Sequence, residues 1–358
     1  MKPGRRRYLD WLRGVAVLIM IGSHTIDSWT MAADRGRTAF RYAMLIAGFG
    51  APAFLFLAGV ALVLAAGARL RKGQSDAEAA AAARRRGWQI FGLAFLFRFQ
   101  AWALSGGPFV NTLLKVDILN VMGLAMIGAA LLWSLGHTIG QRVVLYVAAV
   151  TVLAMLTPVV RATPLLDPLP DPLEWYFWPS PGRTTFTIFP WAGFLFAGAA
   201  AGSWLDRMHT PNDERRLNQW VAALGPAIAL SGYAASHLPP IYVQTDFWTS
   251  SPTFFFLRLG VVLTLLPVAY AWERRPWSDP QTRWAPLADF GRSSLFVYWI
   301  HVEMVYGAMS TAIHQRLTFE QALVAFVLFS VVLFGLAKLK DRLVTGWRTG
   351  GVRRFARA

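Results

Sequence analysis

The sequence predicts an all-α membrane protein, a polytopic bundle of about ten transmembrane helices, and three observations support this fold class. Hydrophobic residues make up 55% of the 358 positions and charged residues only 15%, a composition unsuited to a water-facing surface. The mean hydropathy is +0.41. Apolar runs of about 17 to 25 residues, each able to cross a hydrocarbon core of roughly 30 Å as a helix, recur along the chain. The predicted spans cover residues 9–30, 40–67, 88–105, 118–136, 143–162, 186–204, 218–236, 253–272, 293–314 and 320–338.

Basic residues predict the orientation of these spans. The net charge of +16 would suit nucleic acid, but the basic residues are spread over alternate loops instead of forming one stripe, so no nucleic-acid partner is expected. Both termini are therefore predicted to be cytoplasmic in an integral multi-pass protein, in the plasma (inner) membrane if the organism is bacterial. The basic segments are 5–7, 69–86, 207–216, 274–292 and 338–357.

The segments between the spans are short, so the sequence predicts one domain over residues 1–358, and a homo-oligomer stays open. The basic, alanine-rich stretch 68–87 predicts a helix or a helical extension. The chain has no cysteine, which excludes disulfides, thiolate metal ligands and a cysteine nucleophile, and no metal is expected. The small residues of "GAAAG", 198–202, predict a helix-packing face.

The first span carries polar residues where hydrocarbon contacts are expected. Arg13 and His24 are eleven residues apart, which returns to within roughly 20° of the same helix face about 16 Å further along. Asp10 and Arg13 are three apart, as are His24 and Asp27, so each couple can form a pair on the helix surface. A carboxylate beside a histidine suits a general base or an acyl-accepting imidazole.

Other predicted spans also contain ionisable groups, namely Arg98, Arg258, His301 and Glu303. Polar side chains within a bilayer are costly and usually face a cavity or one another, which indicates a functional site. The alternative is that each is a buried hydrogen-bonding group that joins two helices, and Arg258 can snorkel outward from its span.

Four segments resemble a known family of membrane enzymes. "DWLRGVAVLIMIGSH", residues 10–24, resembles the first span of the transmembrane acyltransferase superfamily, with arginine, ten residues and then histidine. "FGRSSLFVYWIHVE", residues 290–303, resembles the late-span signature of the heparan-alpha-glucosaminide N-acetyltransferase family within it. "FGAPAFLFLAGVAL", 49–62, and "LKVDILNVMGLAMI", 114–127, follow the same order of segments.

The resemblance implies transfer of an acetyl or other short acyl group from cytoplasmic acyl-CoA, here acetyl-CoA, to an extracytoplasmic sugar amine or hydroxyl. Arg13 and His24 match the superfamily pair, and His301 matches the late-span histidine. Heparan-directed members have asparagine in place of His24 and a histidine further along the outer loop, which here reads "SWTMAADRGR". His24 is therefore the predicted base or acyl carrier.

Acyl transfer needs a base, an oxyanion donor and an anchor for the CoA phosphates. The predicted catalytic residues are His24 as the base, Asp27 orienting it, and His301. Either His301 or Asn120 is predicted to donate a hydrogen bond to the oxyanion. Cytoplasmic arginines suit the phosphates, although the positive-inside rule alone also explains them. The predicted CoA-binding residues are Arg13, Arg84, Arg85, Arg86 and Arg292.

The acceptor is predicted to contact polar and aromatic groups. Trp175 and Asp171, in a proline-rich outer loop, can stack on and hydrogen-bond a sugar, and an interfacial aromatic belt explains them about as well. The predicted substrate-binding residues are Arg98, Asn120, Glu303, Asp171 and Trp175.

Two other classes of function fit the buried charges. In a transporter they form a proton or anion path, but clear inverted repeats with paired broken helices are not evident in the sequence. In a scaffold or sensor they are dispensable for turnover. Binding or hydrolysis of acetyl-CoA by the purified protein distinguishes these classes from an acyltransferase.

Overall fold

The computed structural model describes residues 6–106, 108–275 and 285–355, and in these ranges the chain is helical without β-strands. The basic positions predicted at 5, within 276–284 and at 356–357 lie outside the described residues. The predicted all-helical polytopic fold is confirmed. The helices are α1 Arg7–Trp29, α2 Thr38–Ala47, α3 Gly50–Leu70, α4 Asp76–Ser105, α5 Phe109–Leu113, α6 Ile118–Leu135, α7 Ile139–Ala162, α8 Asp171–Glu174, α9 Ile188–Arg207, α10 Pro211–Ala235, α11 Pro252–Glu273, α12 Pro286–Arg292, α13 Ser294–Tyr306 and α14 Phe319–Phe355.

Seven stretches of helix within the described ranges are long and apolar enough to cross a membrane. They are α1, the consecutive α2 and α3, α6, α7, α9, α11 and α14. The other three predicted spans fall in α4, α10 and α13. α4 and α10 are long enough but carry more polar residues, whereas α13 has only 13 residues and extends about 20 Å. The predicted span 293–314 therefore contains a helix shorter than the bilayer core.

Local signals explain where several helices begin and end. The Ser75 hydroxyl accepts a hydrogen bond from the backbone N–H of Glu78, and the Glu78 carboxylate accepts one from the Ser75 backbone, so a capping box starts α4. The stretch 68–87 thus becomes a turn followed by the first part of α4, as expected for a helical extension. α13 ends where Gly307 adopts an extended conformation.

The helices group into two compact units. Unit 1 contains 51–271 and unit 2 contains 6–50 and 272–355 of the described residues. In unit 1, α9 packs closely against α3, because a Cβ on Gly198 would overlap the carbonyl oxygen of Phe56. The interpretation of 198–202 as a packing face is confirmed.

In unit 2, α1 and α12 approach each other through glycines. A Cβ on Gly14 would overlap the carbonyl oxygen of Leu287, and one on Gly291 would overlap that of Asp10. Only a side chain without Cβ permits backbones this close. The crossing places α12, and α13 after it, directly beside the first span.

Candidate active site

Two histidines of unit 2 form a direct pair. His24 Nδ1 lies 2.8 Å from His301 Nε2, and the two rings are almost parallel, with 8° between their planes. His24 comes from the outer half of the predicted first span, and His301 comes from α13. His301 is fully buried, whereas His24 is half-buried. The sequence predicted both residues as catalytic, and the structure brings their rings into hydrogen-bonding contact.

The hydrogen-bond partners assign the tautomers of this pair. His301 Nδ1 lies 2.8 Å from the carbonyl oxygen of Val297, four residues earlier on α13. A carbonyl only accepts, so Nδ1 of His301 carries the hydrogen and its Nε2 is the acceptor when the ring is neutral. His24 must then donate from Nδ1, which leaves the lone pair of His24 on Nε2. We call these two hydrogen bonds the histidine relay: His24 Nδ1–H donates to His301 Nε2, and His301 Nδ1–H donates to the Val297 carbonyl.

Aromatic residues surround the histidine pair. Tyr306 meets the His24 ring edge to face, with 5.4 Å between centroids, and Tyr298 meets the His301 ring in the same way at 5.9 Å. Both tyrosines belong to α13. The ring of His24 is therefore held on two sides, by a hydrogen bond from its Nδ1 and by an aromatic contact.

Asp27 does not pair with His24 as the three-residue spacing suggested. Its carboxylate lies 3.5 Å from the Arg35 guanidinium, which also donates to the Asp27 backbone carbonyl. Arg35 is held in turn by the carbonyl oxygen of Thr30, at 3.3 Å. The His24 ring is bound by His301 instead of Asp27, and the loop after α1 supplies the arginine that holds the Asp27 carboxylate.

The predicted pair of Arg13 and Asp10 is present, at 3.4 Å. Further along this unit, Arg292 and Lys338 both donate to the buried carboxylate of Asp289. Arg292 was predicted to bind CoA, and in this structure its guanidinium is bound by an acid three residues earlier. The two cations share one carboxylate, so the cluster keeps an excess positive charge.

The other arginines predicted to bind CoA belong to unit 1. Arg84, Arg85 and Arg86 are exposed on α4, and Arg86 donates to the side-chain oxygen of Gln89 at 3.4 Å. The structure therefore distributes the predicted CoA-binding arginines over both units, with Arg13 and Arg292 in unit 2.

A polar cluster of unit 1 contains Arg98 and Asn120. Arg98 forms an ion pair of 2.8 Å with the buried carboxylate of Asp117. Asn120 accepts from the Asp117 backbone N–H at 3.0 Å in a capping box, and its amide donates to the Tyr176 hydroxyl at 3.2 Å. Burial and the charge of Arg98 lower the pKa of Lys115, which precedes this cap, against the opposing effect of Asp117.

The remaining predicted substrate-binding residues are Glu303, Asp171 and Trp175. Glu303 is half-buried on α13, two residues after His301, and Asp171 is exposed at the start of α8. Trp175 is 7% exposed and lies beneath the Arg183 guanidinium, 5.4 Å from its ring centroid. The Trp175 ring is packed inside unit 1, so its predicted stacking on a sugar from the outer loop is not supported.

Comparisons with known proteins add a family to this geometry. The family model described as heparan-alpha-glucosaminide N-acetyltransferase, catalytic, matches residues 5–243, which is more than half of the chain. The matched range includes His24, Arg98 and Asn120 and ends before His301. No curated protein sequence matches the chain.

Proposed function

Because the chain belongs to the heparan-alpha-glucosaminide N-acetyltransferase family of transmembrane acetyltransferases, we propose that it transfers an acetyl group from cytoplasmic acetyl-CoA to an extracytoplasmic sugar amine or hydroxyl. In this proposal both termini are cytoplasmic and the protein lies in the plasma (inner) membrane if the organism is bacterial. The basic loops of the sequence support that orientation.

The histidine relay is the single observation that carries the proposal. A neutral imidazole with Nδ1 committed to a hydrogen bond has its lone pair on Nε2, which is the nitrogen that takes a proton or an acyl group. His301 acts as a positioning residue, because its Nε2 accepts from His24 Nδ1 at 2.8 Å and its own Nδ1 is bound to a backbone carbonyl. The relay supports His24 as the reacting group.

In direct transfer, the amine nitrogen of the acceptor attacks the thioester carbonyl and a C–N bond forms. The C–S bond breaks, the electron pair leaves with sulfur, and His24 Nε2 carries the amine proton to the CoA thiolate. A hydroxyl acceptor follows the same sequence through its oxygen. In the two-step route His24 Nε2 attacks the thioester carbonyl first, the C–S bond breaks and CoA leaves as the thiolate. The acceptor then attacks the acetyl carbon, the bond from that carbon to Nε2 breaks, and the freed Nε2 takes the acceptor proton.

These two routes differ in one measurable species. Incubation with acetyl-CoA in the absence of acceptor adds one acetyl group to the intact protein only in the two-step route. Intact-mass measurement therefore distinguishes them. Fragmentation places the added mass on the peptide that contains His24 if the imidazole is the carrier.

The donor phosphates are proposed to bind cytoplasmic arginines. The candidates are the exposed Arg84, Arg85, Arg86 and Arg292, and the half-buried Arg13. The exposure of the three α4 arginines supports such a role, since exposed guanidinium groups bind phosphate without first losing a carboxylate partner. Dissolved salt screens contacts between exposed arginines and phosphates, so the affinity for acetyl-CoA should fall as the salt concentration rises.

His24→Ala is the direct test of this function. General base catalysis contributes about 10²- to 10⁴-fold to a rate, so turnover should fall by at least that range while acetyl-CoA binding is kept. His137→Ala, at an exposed loop position of unit 1, is the matched control and should transfer acetyl groups at the wild-type rate. Wild-type transfer by His24→Ala contradicts the proposal, and absence of acetyl-CoA binding by the native protein favours a transporter.

A further inference from the structure

A cavity lies entirely within unit 1, and nothing in the proposed acetyl transfer uses it. Its volume is about 370 Å³, within the range of small-ligand pockets. The end of α7, the start of α9 and the first turns of α11 form its walls. Two arginines, Arg161 and Arg258, line it together with the hydroxyl groups of Thr185 and Ser251.

Neither arginine forms an ion pair with a carboxylate in the part of the chain that the structure describes. Among the residues that the structure describes, no acid lies within ion-pair distance of Arg161 or Arg258, and the Nε atom of each is buried without a hydrogen bond. Asp246 attracts Arg161 only at longer range, and its Oδ1 already accepts from the backbone and hydroxyl of Thr249. Two cationic groups thus line one cavity, and no described acid is in ion-pair contact with either.

Aromatic rings hold the Arg258 guanidinium in place. It lies 4.0 Å from the centroid of Phe254 and 5.7 Å from that of Trp191, and both rings line the cavity. The stacking orients the planar group but supplies no counter-charge. The Arg258 side chain therefore lines the cavity beside these two rings, and the expectation that it snorkels outward from its span stays a prediction.

Other arginines of unit 1 show how this chain usually neutralises such charges. Arg98 pairs with Asp117 at 2.8 Å and Arg142 pairs with Asp76 at 2.7 Å. A partly buried cation without a partner is costly in a low-dielectric environment, and two in one cavity also repel each other. A bound anion would offset both effects.

We propose that this cavity binds a phosphate or sulfate group through Arg161 and Arg258. Tetrahedral oxyanions accept several hydrogen bonds at once, which matches two guanidinium groups and the hydroxyl of Thr185. The group belongs either to an anionic phospholipid headgroup or to a soluble phosphate or sulfate compound. Binding is independent of His24, so the proposed acetyl transfer and this site can fail separately.

The test uses the full-length protein purified in detergent and stripped of lipid. Inorganic phosphate and sulfate are titrated by calorimetry, with chloride at matched ionic strength as the reference. A second arm places the protein in nanodiscs of phosphatidylcholine with or without phosphatidylglycerol, and native mass spectrometry records retained lipid. Phosphate or sulfate binding indicates a soluble ligand, whereas retention of phosphatidylglycerol alone indicates a headgroup site.

Arg161→Gln and Arg258→Gln should each weaken the binding of the responding probe roughly 10- to 100-fold, because each removes one charge-assisted contact. Arg216→Gln removes the same charge from an exposed position on α10 and should leave affinity unchanged. If a glutamine variant does not fold, Arg258→Lys keeps the charge but loses the planar fork and should weaken binding to a lesser degree.

Two results would overturn the proposal. One is that neither phosphate, sulfate nor phosphatidylglycerol binds the native protein. The other is that Arg161→Gln, Arg258→Gln and Arg216→Gln all bind the probe with the same affinity. That result would show that the probe responds to the overall positive charge of the surface and not to this cavity. Retained binding accompanied by lost acetyl transfer in His24→Ala would show that the two sites are separate.

Discussion

His301→Phe isolates the contribution of the histidine relay, because phenylalanine preserves the ring but removes both nitrogens. His301 is fully buried and accepts from His24 Nδ1 at 2.8 Å. After the substitution, His24 keeps its place on α1 but loses the partner that assigns its tautomer. The hydrogen is then free to occupy Nε2, where it blocks the lone pair that the proposed acetyl transfer requires.

The expected magnitude follows from one hydrogen bond. When His24 takes a proton, its Nδ1–H becomes a charged donor to His301, and a hydrogen bond to a charged group contributes about 1.5–3 kcal/mol. Loss of that stabilisation in the transition state lowers kcat roughly 10- to 150-fold. The KM for acetyl-CoA should change by less than about twofold, because the relay acts on the reacting nitrogen and not on the donor phosphates.

Release of free CoA thiol, followed with a thiol-reactive dye, measures kcat and KM directly. The protein contains no cysteine, so the dye has no protein background. His314→Phe is the control, since it makes the same substitution at an exposed histidine of the same unit, whose Nδ1 lies 3.1 Å from the Ser28 hydroxyl. It should retain the wild-type kcat.

Two outcomes would refute the relay. A wild-type kcat in His301→Phe, with His24→Ala inactive, would show that His24 needs no orienting partner. A loss of both kcat and acetyl-CoA binding in His301→Phe would show that His301 only holds the helices together.

Two further substitutions test the surroundings of the site. Asp27→Asn removes an ion pair between Asp27 and Arg35, whose side chains are 44% and 34% exposed. The substitution should therefore cost at most about 1 kcal/mol of unfolding free energy and leave kcat within about twofold. A severe loss of kcat would instead indicate that Asp27 orients His24. Gly291→Ala introduces a Cβ that overlaps a carbonyl oxygen of α1, so it should lower stability to thermal unfolding by about 1–3 kcal/mol. Gly335→Ala, with open space around its Cβ position, should not, and equal stability of the two alanine variants would contradict the close crossing.

Hydrophobic run length predicted most of the fold, because any membrane span must be a long apolar helix. It failed where apolar residues continue beyond a backbone break. Residues 307–314 are apolar enough to extend α13, yet the helix ends at Tyr306 and a short 3-10 turn follows at 308–310. Likewise the predicted span 40–67 is interrupted between α2 and α3. Hydropathy does not record such breaks, since it counts side chains and not backbone conformation.

For the site, helical spacing predicted the pair of Asp10 and Arg13 because both lie on one helix. It could not predict the contact between His24 and His301, since 277 residues separate them and the pairing depends on how α13 packs. The same limit applies to Asp27. Its helical neighbour was evident in the sequence, whereas its actual partner Arg35 comes from a loop whose path is decided by tertiary structure.

A charged side chain within a membrane span needs a counter-charge nearby, whereas a neutral polar side chain does not. This difference distinguishes the ionisable residues of the predicted spans. Arg13 and Arg98 are each paired with a carboxylate, at 3.4 and 2.8 Å, so replacing either arginine removes an ion pair and should lower stability. His24 and His301 need no counter-ion while both are neutral, and their hydrogen bonds leave Nε2 of His24 for the proposed proton transfer. Among the described residues, Arg161 and Arg258 form no ion pair with a carboxylate, although Asp246 attracts Arg161 at longer range, and the proposed anion would offset their charge. We therefore expect added phosphate to raise the stability of the purified protein to unfolding. It should raise the stability of His24→Ala by the same amount, because the proposed phosphate site does not involve His24.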